Sequence, residues 1–133
     1  MDNRIISAEA CLKQNGFHVK TFKNVDELKK GLMESIGIDE SIAFGGSITL
    51  AYLGIYEDFK ERGNEIYWHW KAEDKKSELI KASNSEIYIS STNALTLDGK
   101  LVNMDGVGNR IASIFYGHKR VYIVVGRNKI CKN

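Results

Sequence analysis

The sequence predicts an α/β fold built on a mostly parallel sheet with helices on both faces. Segments with helical spacing of apolar residues alternate with short apolar or β-branched segments along the whole chain. The nearly unbroken β-branched run Val121–Val125 is typical of a strand buried on both faces of a parallel sheet. Glycine and polar residues follow directly after predicted strands, which is where open parallel sheets hold their ligands.

Length, composition and charge exclude several classes of protein. A chain of 133 residues fits one domain covering residues 1–133, because two separate cores would each be too small to be stable. With 43% hydrophobic and 27% charged residues, it has the composition of a globular protein. The net charge of +2 comes with scattered lysines, so we expect no nucleic-acid partner.

The same residues indicate a compartment. No apolar run approaches the roughly 20 residues needed to cross a bilayer, so we expect no membrane association. The start of the chain lacks the long apolar core of a signal peptide. Cys11 and Cys131 form no CxxC pair and are typical of a reduced protein. These features together predict a cytoplasmic location.

The first half of the chain predicts three helices and three strands. The helices cover residues 4–15, 24–36 and 48–62, with an interruption of the last near Gly54. Asn24 and Glu27 are suited to be the N-cap and capping box of the second helix. The predicted strands are Phe17–Phe22, Ser41–Phe44 and the aromatic-rich segment Glu65–Trp70.

The second half predicts two helices, two strands and a hairpin. A helix over Lys75–Ser83 precedes a strand over Glu86–Ser90. Asp98-Gly99, placed between two apolar segments, predicts a hairpin that pairs residues 93–96 with residues 100–103. A helix then carries Ile111, Ile114 and Phe115 as far as Gly117, and Val121–Val125 is the last predicted strand.

The turn Gly45–Thr49 is the first candidate binding element. A strand runs into Gly45 and Gly46, and Ser47 stands where the next helix begins. Glycines at such a place allow a phosphate or carboxylate to approach the backbone N–H groups, so Gly45, Gly46, Ser47 and Thr49 are predicted ligand-binding residues. A tight turn with Ser47 as N-cap explains the same residues without a ligand.

The second and third elements are Thr92-Asn93, at the end of the predicted strand Glu86–Ser90, and the segment 103–110. Asn93 could offer a ligand both a donor and an acceptor, although Thr and Asn are also common turn residues. In the third element, polar residues and two glycines lie between a strand and a helix: Asn103, Asp105, Gly106, Gly108, Asn109 and Arg110. Arg110 could clamp a carboxylate or phosphate, and Asp105 could act as a base, cap the helix or hold Arg110. A self-contained Asp–Arg–Asn network that only shapes the loop is the alternative.

The histidines and the aromatic residues are weaker candidates for a site. No pair of histidines has HxH or HExxH spacing, so we predict no metal site. Tyr67, Trp68 and Trp70 are more often core residues, but they would favour a homo-oligomer if they were exposed together.

The segments 41–50, 91–110 and 121–128 together resemble the LUD-domain family, whose members are similar to lactate-utilisation protein C. The resemblance extends from about residue 4 to residue 130 and is most specific in Ser91-Thr92-Asn93-Ala94-Leu95-Thr96-Leu97-Asp98-Gly99-Lys100-Leu101-Val102-Asn103-Met104-Asp105-Gly106-Val107-Gly108-Asn109-Arg110. It implies a three-layer α/β fold like that of glucosamine-phosphate deaminase, ribose-phosphate isomerase and CoA transferases.

The resemblance also implies a role in the bacterial oxidation of L-lactate to pyruvate, beside iron–sulfur partner proteins. Longer members of the family continue with a helix and a tail that can contain cysteines, whereas this chain ends at Asn133. We therefore expect no iron–sulfur role for this chain alone, and no cofactor is assigned to it.

Three functional hypotheses follow. The first is a lactate-utilisation-type protein that binds a small carboxylate or phosphorylated ligand, with Asn93, Asp105 and Arg110 in one cleft with Gly46 and Ser47. The second is an isomerase or acyl-CoA transferase with Asp105 as base or nucleophile, although no glutamate stands out as the nucleophile of a CoA transferase. The third is a non-catalytic interaction module that uses the aromatic segment Glu65–Trp70.

Overall fold

The computed structural model describes residues 2–106 and 108–132, and the bounds below refer to that part of the chain. The helices are α1 (Asn3–Gln14), α2 (Val25–Ser35), α3 (Ile48–Leu53), α4 (Ile55–Arg62), α5 (Lys75–Ser83) and α6 (Asn109–Phe115). The strands are β1 (Ile42–Phe44), β2 (Ile66–Tyr67), β3 (Ile87–Ser90), β4 (Ala94–Thr96), β5 (Leu101–Val102), β6 (Arg120–Ile123) and β7 (Ile130–Cys131). Two short 3-10 turns cover His69–Lys71 and Arg127–Lys129.

The main sheet has the strand order β2-β1-β3-β6, and all of its pairs are parallel. This confirms the predicted mostly parallel sheet. A smaller sheet has the order β5-β4-β7, in which β4 and β5 form the predicted antiparallel hairpin and β7 runs parallel to β4. Gly99 in the hairpin turn has a φ of +83°, a conformation that residues with a Cβ rarely adopt.

Helices cover both faces of the main sheet. In β1, Ile42 and Phe44 pack into one apolar cluster while Ala43, between them, packs into another, because successive side chains of a strand point to opposite faces. On the first face the cluster includes Leu32 of α2 and Phe59 of α4. The second cluster holds side chains of α5 and α6, Ala82 and Ile114. The arrangement is the three-layer α/β fold that the resemblance implied.

The predicted strand Phe17–Phe22 is absent, since this segment is irregular in the structure. Two of its apolar residues, Val19 and Phe22, pack against different parts of the protein without pairing as a strand. Val19 packs against the cluster that α1 forms with the small sheet. The Phe22 ring lies so close to α2 that a Cβ at Gly31 would come within 2.8 Å of it. The period-two pattern of this segment therefore did not lead to a hydrogen-bonded ladder.

Two other strand predictions need correction. The segment Glu65–Trp70 forms a strand only at Ile66–Tyr67, because the chain turns into a 3-10 helix at His69. Trp68, between the strand and this helix, is fully buried.

The sequence predicts that the run Val121–Val125 is buried on both faces. It corresponds to β6, which pairs only with β3 at an edge of the sheet and is half-buried throughout. A β-branched run suits an edge strand as well, since packing on one face is sufficient.

A charged network joins the loop after α2 to the edge strand β6. The Glu40 carboxylate accepts hydrogen bonds from the Arg120 guanidinium, from the Gly37 backbone N–H at 3.0 Å and from Lys119 Nζ at 3.4 Å. Arg120 also donates to the Ser35 carbonyl oxygen at 2.9 Å. The hydrogen bond from Arg120 is the main reason that the pKa of Glu40 falls from 4.5 to about 2.

The Glu40 network should make stability depend on pH in acid. Because the pKa of Glu40 is lower in the folded protein than in the unfolded chain, its contribution is complete above pH 4.5 and is lost as the pH falls towards 2. We expect Glu40→Gln to have a lower Tm than wild type at pH 7, and the two Tm values to converge near pH 2. Thermal unfolding followed by circular dichroism between pH 7 and pH 2 measures this, with Glu34→Gln, an exposed change on α2, as the control. A Tm difference that does not vary with pH would contradict it.

Two further sequence inferences concern the membrane and the cysteines. Among the described residues there is no helix with both the length and the apolar character needed to pass through a membrane. Cys11 and Cys131 are free thiols. Cys131 belongs to β7 and pairs with Thr96 of β4.

Candidate functional site

The carboxyl ends of β1, β3 and β6 lie together at one end of the main sheet, because these strands are parallel. Backbone hydrogen bonds extend the pairing past the strand ends. The Gly45 N–H donates to the Ile89 carbonyl oxygen at 2.9 Å, and the Val124 N–H donates to that of Ser90 at 2.8 Å. We call this end of the sheet, at the carboxyl ends of its strands, the rim. The turn Gly45–Thr49 and the pair Thr92-Asn93 both lie on it.

Arg110 joins the three predicted elements at the rim. From the first turn of α6, its Nη1 donates to the Gly46 carbonyl oxygen at 3.4 Å, across a sequence separation of 64 residues. Its Nη2 donates to Asn93 Oδ1 and, at 2.8 Å, to the Met104 carbonyl oxygen. Its Nε lies 3.8 Å from Asp105 Oδ1. Only 8% of Arg110 is exposed, so the guanidinium is held inside the protein.

Asp105 is fixed by two contacts. Besides the ion pair with Arg110, its Oδ2 accepts a hydrogen bond from the Ile111 backbone N–H at 2.6 Å, which caps the start of α6. Its side chain is 11% exposed. Of the roles that the sequence left open for Asp105, the geometry provides the cap and the partner of Arg110. Both carboxylate oxygens are thus engaged, one by the Ile111 N–H and the other by the Arg110 guanidinium.

The glycines of the first turn are required by close packing. A Cβ on Gly45 would lie 2.6 Å from both Ser90 Oγ and Tyr88 Oη. A Cβ on Gly46 would lie 2.9 Å from Trp70 Nε1, because the indole ring covers this residue. Ser47 caps α3 through its Oγ, which accepts from the Leu50 N–H at 3.2 Å, and Thr49 is half-buried as the second residue of α3. The turn is thus packed against the protein's own side chains.

The polar residues of the hairpin bind one another. Thr92 Oγ1 lies 2.9 Å from the Val102 carbonyl oxygen and 3.1 Å from Asn103 Oδ1, and Thr92 is buried. Asn93 Oδ1 accepts from the Met104 N–H at 2.9 Å in addition to Arg110. Arg110 and the residues it contacts form what we call the Arg110 cluster: Gly46, Asn93, Met104 and Asp105. Thr92 and Asn103 hold the hairpin together beside this cluster.

A model of the LUD domain matches residues 7–133 of the chain. The chain belongs to the LUD-domain family. The match includes every residue of the rim named above and associates the protein with lactate utilisation. Searches of curated proteins and of solved structures found no match.

The remaining predicted site residues of this LUD domain lie at the start of α6. Gly106 and Gly108 are exposed, and a Cβ at either position would meet no atom within 4 Å among the described residues. Gly108 has a φ of +80°, which explains the need for glycine immediately before the helix. Asn109 is half-buried as the first residue of α6. Val107 lies outside the described residues.

Val125–Asn128 also follows a strand of the main sheet, but the structure does not bring it to Arg110. Within residues 2–106 and 108–132, no hydrogen bond joins this segment to the cluster. A Cβ at Gly126 would lie 2.6 Å from Asn128 Oδ1, so the turn packs on itself. No group of three or more His, Cys, Asp or Glu side chains gathers as metal ligands in the described part of the chain.

Tyr88 is the residue of the rim that the sequence interpretation missed. It is 3% exposed, its ring stacks on His118 with centroids 5.0 Å apart, and its hydroxyl approaches Gly45. Burial is the main cause that raises the pKa of Tyr88 to about 12; the charge of Asp105 adds to this, while Ser90 and Arg110 oppose it. The sequence feature that could have indicated Tyr88 is a single tyrosine between Ile87 and Ile89 in a predicted strand.

Trp70 is the second residue that the sequence did not assign to the rim. Its indole stacks on the fully buried Trp68, with ring centroids 5.5 Å apart, and 44% of the residue is exposed. Trp70 thus forms the outer cover of Gly46.

A shallow surface depression of about 390 Å³ lies between α2 and α4, away from the rim. It is lined by Met33, Asp58, Glu61 and Arg62 and includes none of the rim residues.

Proposed function

We propose that this LUD-domain protein binds a small carboxylate or phosphate anion at the rim, as part of the oxidation of L-lactate to pyruvate. The observation that carries the proposal is the position of Arg110, which is buried at the carboxyl ends of two neighbouring strands and contacts all three predicted elements. Such a position at the edge of a parallel sheet is where ligands of α/β proteins bind.

The donors of Arg110 support the proposal. A guanidinium has five N–H groups. Nη2 donates to Asn93 and Met104, and Nη1 makes one long contact to Gly46. Within the described residues Arg110 Nε has no hydrogen-bond acceptor, because Asp105 Oδ1 at 3.8 Å is beyond hydrogen-bond distance. Nε and the second Nη1 hydrogen are donors that oxygens of a carboxylate or phosphate could accept, each through a single hydrogen bond, because these two N–H groups point to opposite sides of the guanidinium.

An anion would replace a weak contact rather than a strong one. The Nη1–Gly46 distance of 3.4 Å is long for an N–H···O hydrogen bond. Exchange of this contact for a charged oxygen would gain more than it loses, because hydrogen bonds between ionised groups are about twice as strong as neutral ones. The bonds to Asn93 and Met104 would stay and would keep the guanidinium in place.

The pathway suggests the setting of this protein. We expect iron–sulfur proteins of lactate oxidation as partners, in the cytoplasm of bacteria. The enzymatic alternative is less well supported, because both oxygens of Asp105 are engaged, by the Ile111 N–H and by Arg110. Self-association through the aromatic segment is limited by the burial of Trp68, which leaves Trp70 as the exposed aromatic residue of the stacked pair.

Ligand-induced stabilisation tests the proposal. L-lactate, pyruvate, glucose 6-phosphate, acetyl-CoA and inorganic phosphate would each be added to the protein. We expect at least one of these anions to raise the Tm, since a ligand at 100 times its Kd stabilises the folded state by about 2.7 kcal/mol, on the order of 10 °C for a domain of this size.

Variants then locate the binding site. Arg110→Lys keeps the charge but loses the Nε donor and the fixed planar geometry of the guanidinium, so the Tm shift should shrink strongly. Arg127→Lys, in the 3-10 turn after β6, is the control and should respond as wild type. The proposal fails when no anion raises the wild-type Tm, or when Arg110→Lys responds as fully as wild type.

A further inference from the structure

The phenol of Tyr88 is a buried hydroxyl to which neither the family nor the sequence gives a role. It lies in the middle of β3 with 3% of the residue exposed. Within the described residues neither Tyr88 Oη nor Arg110 Nε makes a hydrogen bond of normal length and angle, although the Ser90 hydroxyl is close enough to the phenol to lower its pKa. A buried hydroxyl without a partner costs free energy, so a native protein usually has a reason to retain it.

Several contacts place the phenol at the rim. Tyr88 Oη and Ser90 Oγ both approach Gly45, at 2.6 Å from the point where a Cβ would stand. The charges that act on the phenol are those of Asp105 and Arg110. Tyr88 Oη, Gly45 and the Arg110 cluster therefore share one small polar region at the carboxyl end of β3.

We propose that Tyr88 is a ligand-binding residue whose hydroxyl, together with Arg110 Nε, donates hydrogen bonds to the carboxylate of a small monocarboxylic acid. This inference rests on the proposed function and specifies its ligand. The two unpartnered groups can both act as donors, and a carboxylate has two oxygens to accept them. The phenol is neutral at physiological pH and so retains the proton that it donates.

The local charge favours a carboxylate over a phosphate. Asp105 lies 3.8 Å from Arg110 and balances its positive charge, and the neutral phenol adds none. A monoanion gains two donors in this region without an excess of negative charge. A phosphate dianion would place a second negative charge near the Asp105 carboxylate, which already balances the charge of Arg110.

The test compares wild type, Tyr88→Phe and the control Tyr67→Phe by isothermal titration calorimetry with pyruvate, L-lactate and inorganic phosphate. Tyr67, in β2, donates to Glu65 and lies outside the Arg110 cluster. We expect pyruvate or L-lactate to bind wild type more tightly than phosphate does. Tyr88→Phe should raise the Kd of that carboxylate about tenfold or more, because a hydrogen bond to a charged group is lost, and Tyr67→Phe should bind as wild type.

The unliganded proteins supply a second readout. Removal of a hydroxyl that has no partner should leave the Tm of Tyr88→Phe equal to or above that of wild type. In addition, with tyrosine labelled with carbon-13 at Cζ, the resonance missing from the Tyr88→Phe spectrum should be the one that pyruvate shifts most in wild type.

The outcomes separate this inference from the proposed function. If wild type binds none of the three anions, this inference fails, and the proposed function fails with it when glucose 6-phosphate and acetyl-CoA also leave the wild-type Tm unchanged. If wild type binds an anion and Tyr88→Phe binds it equally well, only the role of Tyr88 is overturned. Tighter binding of phosphate than of either carboxylate overturns the assignment of the ligand, and a lower Tm of unliganded Tyr88→Phe shows that the hydroxyl serves the fold instead.

Discussion

Arg110→Met is expected to lower the free energy of unfolding by about 3–5 kcal/mol at pH 7, because it leaves the Asp105 carboxylate buried without its cation. The side chains of the pair are only 10% and 11% exposed. The substitution also removes the donor to Asn93 Oδ1 and to the Met104 carbonyl oxygen. Methionine fills much of the same space, so the loss reports on charge and hydrogen bonds more than on packing. Urea unfolding followed by tryptophan fluorescence measures it.

Two related variants show whether the Arg110 effect has this cause. Asp105→Asn combined with Arg110→Met should recover part of the lost stability, because the double variant has no unpaired buried charge. Arg127→Met, which changes an exposed arginine, should alter stability by less than about 0.5 kcal/mol. A loss below about 1 kcal/mol for Arg110→Met would mean that water solvates the cluster and that the rim is not the closed arrangement described above.

Trp68→Ala should be similarly destabilising, by about 3–5 kcal/mol. Trp68 is fully buried, and its ring lies 5.5 Å from each of three aromatic rings, measured between centroids: those of Phe44, Tyr56 and Trp70. Removal of the indole leaves a cavity between the end of β1 and α4, and Trp70 loses the surface on which it stacks. Chemical unfolding followed by circular dichroism gives the free-energy difference.

Matched aromatic variants locate the Trp68 effect. Trp68→Phe retains a ring and should lose less stability than Trp68→Ala, because the remaining cavity is smaller. Trp70→Ala should also lose less, since Trp70 is 44% exposed. Equal losses for Trp68→Ala and Trp70→Ala would show that the two rings contribute alike to the core, contrary to their difference in burial.

The elements of the main sheet were largely predictable from local pattern. Asn24 and Ser47 cap α2 and α3 as expected, and the interruption near Gly54 is a glycine with a φ of +71°. These features depend on residues three or four positions apart, which a sequence displays directly. Strand predictions were less reliable, because alternation in Phe17–Phe22 arises from side-chain contacts without a partner strand. A strand exists only when another segment pairs with it.

The candidate site was predictable in its location and only partly in its geometry. The first hypothesis predicted that Asn93, Asp105 and Arg110 would meet Gly46 and Ser47, and Arg110 does contact Gly46 and Asn93. Their binding of a ligand stays a prediction. The order of residues did not show that Asp105 would cap α6, or that Trp70 would cover Gly46. Both facts depend on how separate segments pack.

Residue order alone therefore establishes the parallel α/β architecture, the hairpin around Gly99 and the LUD-domain resemblance, because capping, periodicity and turn chemistry are local. Packing of distant segments decides the rest: which strands lie at the edges, which glycines face side chains, and which donors lack a partner. Tyr88 is the clearest case. Its aliphatic neighbours in sequence predict a core residue, and only the approach of Gly45 and Arg110 in space turns its hydroxyl into a candidate for binding.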